Sequence, residues 1–140
     1  MYKCKYFTIK ELVNPEYLKK YDEDLLWSLF DDRLLKAADR IRELYGVILI
    51  NSDGIDDAGA RLPISDTGSS LSAHKFFRAL DLKIVNIEKK ADNQKKIPEY
   101  NRIRQELLIN PEFNFLNFEN NISWLHIDTY NRKSRIFNPN

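Results

Sequence analysis

The chain has 140 residues, of which 43% are hydrophobic and 31% are charged, and its formal net charge is +1. This apolar content is sufficient for one globular domain over residues 1–140, and it excludes wholesale disorder. The nearly balanced charge disfavours nucleic-acid and membrane partners, and the single cysteine, Cys4, excludes a disulfide scaffold and a multi-cysteine zinc module.

Helical patterns fill much of the first third of the chain. In residues 22–45, apolar residues recur at three- and four-residue steps. This spacing is typical of one amphipathic helix, or of two helices joined near Asp31. Gly46 is a suitable residue to end the helical segment, because glycine readily adopts the backbone conformation found there.

Two buried strands are predicted on either side of a long loop. The runs VILIN (47–51) and ALDLKIV (79–85) are apolar and contain β-branched residues, as buried strands do. Between them, residues 52–72 are rich in Gly, Asp, Ser and Pro, which predicts a loop. Loops of this length in a small domain are usually functional or mobile.

The last third of the chain predicts a helix and a hairpin. Residues 97–110 have a helical pattern with Pro98 in its first turn, whereas residues 88–96 indicate a solvated loop. Asn120 and Asn121 separate two strand-like runs and predict a tight two-residue turn, since asparagine tolerates left-handed backbone. The element order indicates an α+β fold in which helices cover one face of a small antiparallel sheet.

The two histidines of the chain and the acids near them suggest a metal site. Hydrolytic zinc typically has three protein ligands, and His74, Asp81 and His126 would be an acceptable set. On a strand, Trp124, His126 and Asp128 would share one face. His74 and Asp81 are an odd number of residues apart, so the chain must bend between them for both to reach one ion. The alternative is that each histidine is an ordinary surface or hydrogen-bonded residue.

The stretches SAHKFFRALD and SWLHID together resemble the motifs of the zinc D-alanyl-D-alanine carboxypeptidase and phage endolysin family. That family cleaves peptidoglycan stem peptides, and the resemblance extends over most of the chain. It implies a hedgehog/DD-peptidase-like fold in which His74, Asp81 and His126 bind zinc. It also implies that Arg61 and Ser72 contact the substrate. A guanidinium binds a carboxylate with two hydrogen bonds, although Arg61 has an equally good interpretation as a solvated loop residue.

Two positions depart from the pattern of this family. The glycine of the motif is Phe77 here, and glycine is the residue best suited to the expected bend. An acid or histidine is usual three residues before the last zinc ligand, where it acts as general base, but Ser123 cannot take a proton near neutral pH. Glu119 and Asp128 are the candidate substitutes. With a two-residue turn, roughly 13 Å of strand would separate Glu119 from His126, so a wider loop is required; Asp128 fits better as a group that orients His126.

We therefore expect a monomeric zinc-dependent peptidase whose partner is a peptidoglycan peptide. Carboxypeptidase and endopeptidase action both stay open. The alternative is a non-catalytic zinc-binding structural or cell-wall-binding module of the same fold, such as a phage particle component. The N-terminus lacks the apolar core of a signal peptide. This predicts synthesis in the cytoplasm and action on the cell wall after phage-type release, and a cytosolic bacterial role also stays open.

Overall fold

The computed structural model of the chain describes residues 1–69, 71–90 and 92–139. Within them, the helices are α1 (Pro15–Lys20), α2 (Glu23–Leu29), α3 (Asp32–Tyr45), α4 (Val85–Glu88) and α5 (Asn93–Ile109). The strands are β1 (Ile48–Leu49), β2 (Ala79–Ile84), β3 (Asn117–Glu119), β4 (Leu125–Asp128) and β5 (Ile136–Phe137). Over these same residues, every helix is too short or too polar to cross a lipid bilayer. The mixture of helices with one small sheet agrees with the predicted α+β class.

The amphipathic segment over residues 22–45 forms two helices, which is the second of the two predicted alternatives. Asp22 and Asp31 begin α2 and α3, and each carboxylate accepts a backbone N–H of the following turn, at 2.9 and 3.0 Å respectively. Such caps satisfy N–H groups that have no partner within the helix. Gly46 ends α3 with a φ of +91°, a left-handed value that favours glycine.

Helix α5 begins earlier than the sequence pattern predicts. The prediction of a solvated loop over residues 88–96 is wrong at its C-terminal end, because α5 starts at Asn93. Asp92 caps this start by accepting the Lys95 N–H at 2.9 Å. Pro98 consequently lies inside the helix rather than in its first turn, where its missing N–H removes one hydrogen bond of the helix.

The strands lie in the order β1-β2-β4-β3-β5. Neighbouring strands are antiparallel except β3 and β5, which are parallel. The predicted antiparallel sheet is therefore correct for four strands and wrong at one edge, where the sequence analysis predicts no strand. The strand predicted over residues 47–51 is reduced to β1. Asn51 leaves the sheet and bonds instead to the backbone of Val13 and Ala58, at 2.9 and 3.0 Å.

The hairpin of β3 and β4 closes through residues 120–124, so the prediction of a two-residue turn is wrong. Asn121 has the left-handed backbone expected of it, with a φ of +56°. The side chain of Arg104 in α5 is 0% exposed and donates to the carbonyls of Trp124 and Ile122, at 2.7 and 2.8 Å. A buried guanidinium requires such acceptors. The wide loop supplies them.

Alternation along the strands gives the sheet an apolar face and a polar face. The apolar side chains belong to a hydrophobic cluster that also contains residues of α2, α3 and α5; they are Leu80, Leu82, Ile84, Phe118, Leu125 and Ile127. The intervening side chains point to the opposite face, and the polar ones near its centre are Asp81, Asn117, Glu119, His126 and Asp128. The helical side stabilises the fold, and the polar face carries the candidate site.

Candidate metal centre

His74, Asp81 and His126 converge on the polar face of the sheet. Oδ1 of Asp81 lies 2.8 Å from Nδ1 of His126 and 3.2 Å from Nε2 of His74. One ligand atom from each residue lies within 4.8 Å of the other two. Both histidines are buried, and the Asp81 side chain is 15% exposed. As predicted, the three residues form a group that could hold a metal ion.

The sheet and a preceding turn place these three side chains. Asp81 and His126 are direct partners across the antiparallel pair of β2 and β4. His74 comes from a single 3-10 turn, Ala73–Phe76, which precedes β2. The predicted bend between His74 and Asp81 is confirmed. Phe77 makes this bend, with left-handed angles of φ 59° and ψ 34°.

Phe77 adopts the conformation for which the family motif has glycine. For a residue with a side chain, this backbone costs about 1–2 kcal/mol. The ring of Phe77 is 7% exposed and packs with its centroid 5.0 Å from Phe30 and 5.3 Å from Tyr17. Burial of an aromatic ring contributes roughly 1.5–3 kcal/mol, which offsets the strain. The departure from glycine therefore leaves the bend in place.

Each histidine is oriented through the ring nitrogen that faces away from Asp81. Nδ1 of His74 lies 2.9 Å from the Gly59 carbonyl oxygen, which can only accept, so Nδ1 carries the proton. Nε2 of His126 lies 2.7 Å from Oδ2 of Asp128 and donates to it. A metal-binding histidine is typically held in this way by a carbonyl or a carboxylate. The remaining nitrogens, Nε2 of His74 and Nδ1 of His126, both face the shared centre.

Close packing of the backbone places the acceptor for His74. A Cβ atom added to Gly59 would lie 2.0 Å from the carbonyl oxygen of Leu12, so a side chain does not fit there. The next residue, Ala60, donates its N–H to the same Leu12 carbonyl at 2.7 Å. The absence of a side chain at Gly59 therefore allows the two segments to approach and presents its carbonyl to His74.

The charges of the centre depend on one another. Burial opposes ionisation of Asp81, but His74 and His126 beside it hold the pKa of its carboxyl well below the usual range. Burial likewise opposes protonation of His126, yet hydrogen bonds from its ring to Asp128 and Asp81 raise its pKa overall to about 9. Without metal, His126 is therefore protonated at neutral pH and compensates the carboxylates. A divalent cation bound at the same nitrogen would replace that proton.

Asp128 lies behind His126 and is 0% exposed. Its Oδ1 accepts from Asn117 Nδ2 at 2.8 Å and from the Tyr130 N–H at 3.1 Å, and its Oδ2 accepts from Arg132 Nη2 at 2.8 Å. Burial opposes its ionisation, but His126 and Arg132 lower its pKa to about 2. Of its two predicted roles, this placement favours the orienting one, because both oxygens are already engaged.

The candidate ligands lie in a cleft of about 700 Å³. Its walls also include the two predicted substrate contacts, the candidate base and the tryptophan of the motif, namely Arg61, Ser72, Glu119 and Trp124. The fold thus brings together residues that lie far apart in the sequence. The C-terminal segment completes one wall with Arg132 and Phe137.

Arg61 lies beside Asp81, with Nη2 at 3.4 Å from Oδ2. Its Nε donates to the Asp57 carbonyl at 2.6 Å and its Nη1 to the Thr67 carbonyl at 3.3 Å. A Cβ atom on Gly68 would come within 2.8 Å of Nη1, so glycine makes room for the guanidinium. Arg61 therefore holds the loop of residues 57–68 against the centre. It also faces the cleft, as a substrate contact must.

Ser72 supports the turn that carries His74. Its Oγ accepts the His74 N–H at 3.3 Å, which caps the turn. The backbone N–H of Arg61 donates to the His74 carbonyl at 3.0 Å and fixes the turn from the other side. Ser72 also lines the cleft, so its predicted contact with the substrate is sterically open.

Glu119 can come near His126 only if the loop after β3 is wide, and residues 120–124 form such a loop. Phe118 pairs with Ile127 in the register of β3 and β4, and Glu119 is the next residue of β3. Continuation of this register would bring Glu119 opposite His126. Residues directly opposite in an antiparallel pair have Cβ atoms about 4.5–5.5 Å apart. The wide loop of residues 120–124 produces this register, and the separation of roughly 13 Å expected for a tight turn does not apply.

Arg132 and Phe137 are among the cleft residues that were not predicted from the sequence. The ring centroid of Phe137 lies 5.8 Å from that of His126, and the Arg132 guanidinium lies 4.0 Å from the Phe137 centroid. Arg132 follows Asp128 by four residues, but this spacing indicates an ion pair only within a helix, and residues 129–132 are not helical. Phe137 has no signal either, because β5 is too short to show a periodic pattern.

Comparisons with protein-family models, with curated proteins and with solved structures give no match for this chain. The likeness to the zinc carboxypeptidase and endolysin family therefore rests on the sequence motifs alone. The hedgehog/DD-peptidase-like architecture stays a prediction, and the function has to be argued from the site.

Proposed function

We propose that this protein is a zinc-dependent peptidase that hydrolyses peptidoglycan stem peptides, as a carboxypeptidase or as an endolysin-type endopeptidase. The observation that carries the proposal is the buried group of His74, Asp81 and His126 in a cleft, with Glu119 on the neighbouring strand. The substrate class follows from the motif resemblance. Action on the wall after phage-type release from the cytoplasm is part of the same proposal.

The donor set supports zinc as the ion. Two imidazole nitrogens and one carboxylate oxygen are ligands typical of catalytic zinc, which keeps a further position open. When bound, zinc supplies Lewis acidity and lowers the pKa of a coordinated water to near neutral. The Gly59 carbonyl and the Asp128 carboxylate hold the ligand rings in the required orientation.

Glu119 is the proposed general base. It follows Phe118 on the strand next to that of His126 and lines the cleft, so its carboxylate is available to accept a proton from the attacking water and deliver it to the leaving amine nitrogen. The hydroxyl of Ser123, at the position usual for the family, cannot accept that proton near neutral pH. Asp128 is fully buried and engaged with its own partners. Glu119 is therefore a better candidate for the general base than Ser123 or Asp128.

Arg61 and Ser72 are the proposed substrate contacts at the rim of the centre. The guanidinium of Arg61 lies next to Asp81, where it can donate to a carbonyl oxygen of a bound peptide. The proposed working unit is a monomer. The partner is a peptide of the cell wall.

A second candidate function is a non-catalytic zinc-binding structural or cell-wall-binding module, such as a component of a phage particle. The observation that favours it is Ser123, which stands where the resembled family has its base. In this case the zinc would stabilise the fold, and the cleft would bind a wall peptide without hydrolysing it. The two candidates differ in whether Glu119 takes a proton.

The test is to load the purified full chain with zinc, quantify the bound metal and incubate the protein with muropeptides. Mass spectrometry would detect released D-alanine or cleaved stems. We expect Glu119→Gln to keep its zinc and to lose at least about a hundredfold in rate, since general bases typically contribute that much. Glu43→Gln, an exposed acid on α3, is the matched control and should retain full activity.

The outcomes separate the candidates. Stoichiometric zinc without any cleavage would support the non-catalytic module. Absence of bound zinc, together with unchanged stability on addition of a chelator, would contradict both. Cleavage that survives Glu119→Gln would leave the peptidase in place and remove Glu119 as its base.

A further inference from the structure

Arg132 brings a second guanidinium into the candidate metal cleft. It follows β4 and lines the cleft together with His126, Trp124 and Phe137. Its side chain is 29% exposed, so it is accessible without projecting into bulk solvent. The sequence motifs assign no role to this residue.

The guanidinium of Arg132 is held in one orientation. Its Nε donates to both oxygens of Asp128, at 3.1 and 3.0 Å, and its Nη2 donates to Oδ2 at 2.8 Å. The plane lies over the ring of Phe137, with 4.0 Å from the guanidinium carbon to the ring centroid. Asp128 itself is fixed by Asn117 at 2.8 Å. A cation that is ordered in advance loses little conformational entropy when a ligand binds.

Arg132 has a guanidinium nitrogen that makes no hydrogen bond within the described residues, whereas each guanidinium nitrogen of Arg61 makes one. All three guanidinium nitrogens of Arg61 already donate, to Asp57, Thr67 and Asp81. Among residues 1–69, 71–90 and 92–139, Nη1 of Arg132 has no acceptor. Nη1 carries two N–H groups. An anion in the cleft can therefore bond to Arg132 without displacing a protein contact.

Arg132 lies next to the candidate metal centre. Oδ2 of Asp128 accepts from Nε2 of His126 at 2.7 Å and from Nη2 of Arg132 at 2.8 Å, so the imidazole and the guanidinium are neighbours on one carboxylate oxygen. With a divalent ion bound, the positive charges of the ion, Arg61 and Arg132 exceed the negative charges of Asp81, Asp128 and Glu119. The loaded cleft consequently attracts an anion.

We propose that Arg132 binds a carboxylate of the substrate, so that the site selects peptides with a carboxylate close to the amide that is cleaved. The inference rests on the proposed peptidase function for its substrate and on the geometry of the cleft for its binding group. The carboxylate is either the free C-terminus of the peptide or the α-carboxylate of a γ-linked D-glutamate. The first source corresponds to carboxypeptidase action and the second to endopeptidase action.

The test compares ligands that differ only in the carboxylate, using the zinc-loaded full chain. N-acetyl-D-alanyl-D-alanine and its C-terminal amide probe the terminal carboxylate. L-alanyl-γ-D-glutamyl-L-lysine and the same peptide with an α-carboxamide probe the glutamate. We expect wild type to bind the carboxylate member of one pair at least about tenfold more tightly by calorimetry, as charge-assisted hydrogen bonds typically provide. The pair that shows the preference identifies the source.

Substitutions test whether the preference for the carboxylate ligand depends on Arg132. We expect Arg132→Gln to bind the carboxylate and the amide equally, and Arg132→Lys to keep part of the preference through its charge. Lys133→Gln is the matched control, because it removes one positive charge from an exposed neighbour and should leave the preference intact. Zinc content is measured for each variant, since Arg132 also supports Asp128. An unchanged preference in zinc-replete Arg132→Gln would overturn the proposal.

A second measurement applies if Arg132→Gln does not fold or does not hold zinc. A crystal structure of the zinc-loaded wild type with the preferred ligand should show its carboxylate within hydrogen-bond distance of Arg132 Nη1. A carboxylate bound at Arg61 instead would overturn the proposal. Hydrolysis at equal rates for both members of each pair would overturn it and leave the peptidase in place. A carboxylate preference at Arg132 without hydrolysis would support it while the peptidase function fails.

Discussion

Asp81 and His126 lie directly opposite each other in β2 and β4, and Oδ1 of Asp81 is 2.8 Å from Nδ1 of His126. The far nitrogen of the same ring binds Asp128 at 2.7 Å. The His126 ring is thus held between two carboxylates, one at the centre and one behind it. This arrangement makes the properties of the site depend on both acids.

Asp128→Asn should weaken metal binding without removing a metal ligand. The amide cannot accept the Nε2 proton of His126 as strongly as the carboxylate does, so the ring loses its fixed orientation and part of its basicity. Loss of such a supporting group typically lowers metal affinity about 10- to 100-fold. Competition with a chromophoric chelator measures the affinity, and Asp53→Asn, an exposed acid, is the control. An affinity equal to wild type would contradict the orienting role of Asp128.

The stability of the metal-free protein should decrease with rising pH. His126 has a pKa of about 9 in the folded chain against an ordinary value of 6.5. Because the folded pKa is the higher one, its stabilisation is complete below about pH 6.5 and is lost as the pH rises through about 9, with a total of about 3 kcal/mol. Urea unfolding with a chelator at several pH values in this window gives the free energy of unfolding. His126→Gln should remove most of the slope, and a stability that increases over this window would contradict the assignment.

Gly59→Ala should damage both the fold and the metal centre. The added Cβ would lie 2.0 Å from the Leu12 carbonyl oxygen, so the backbone must shift and take the acceptor of His74 with it. We expect a loss of more than about 2 kcal/mol in stability and a measurable drop in zinc affinity. Gly54→Ala is the matched control, since nothing lies within 4 Å of its added Cβ and only backbone strain of about 1 kcal/mol is expected. Equal effects at the two positions would refute the packing argument.

At Phe77, a glycine variant should be more stable than an alanine variant, which is the reverse of the order usual in helices and strands. Phe77→Ala removes the ring that packs on Phe30 and Tyr17 and should cost about 3–5 kcal/mol. Phe77→Gly removes the same ring, but glycine accepts the left-handed backbone, so it should be more stable than the alanine variant by about 1 kcal/mol. At Lys83, in the extended strand β2, the alanine variant should instead be more stable than the glycine variant. Chemical denaturation of the four variants decides the question.

Local sequence signals predicted the elements that have strong caps or periodic patterns. The amphipathic spacing and Asp31 are sufficient to indicate α3, and Gly46 its end. The odd spacing of His74 and Asp81 requires a bend, and the chain bends there. The grouping of His74, Asp81 and His126 also follows from the sequence, although only through motifs read together.

Elements that depend on distant contacts could not be predicted. The width of the loop at residues 120–124 is tied to the buried guanidinium of Arg104, whose partners are carbonyls of that loop. A pair of asparagines is equally compatible with a tight turn and with this loop. Strand β5 has two residues and pairs in parallel with β3, so no local pattern marks it. The places of Glu119 and Arg132 in the cleft follow from these long-range contacts.

Strand β4 alternates between residues of the hydrophobic core and residues of the candidate metal centre. A shift of its pairing by one residue would turn Leu125 and Ile127 toward the cleft and would press His126 and Asp128 into the apolar cluster. Such a mispaired chain would lose its hydrophobic contacts and its metal ligands together. Binding of the proposed metal would therefore report on the fidelity of folding, because only chains with the correct strand register can assemble the centre.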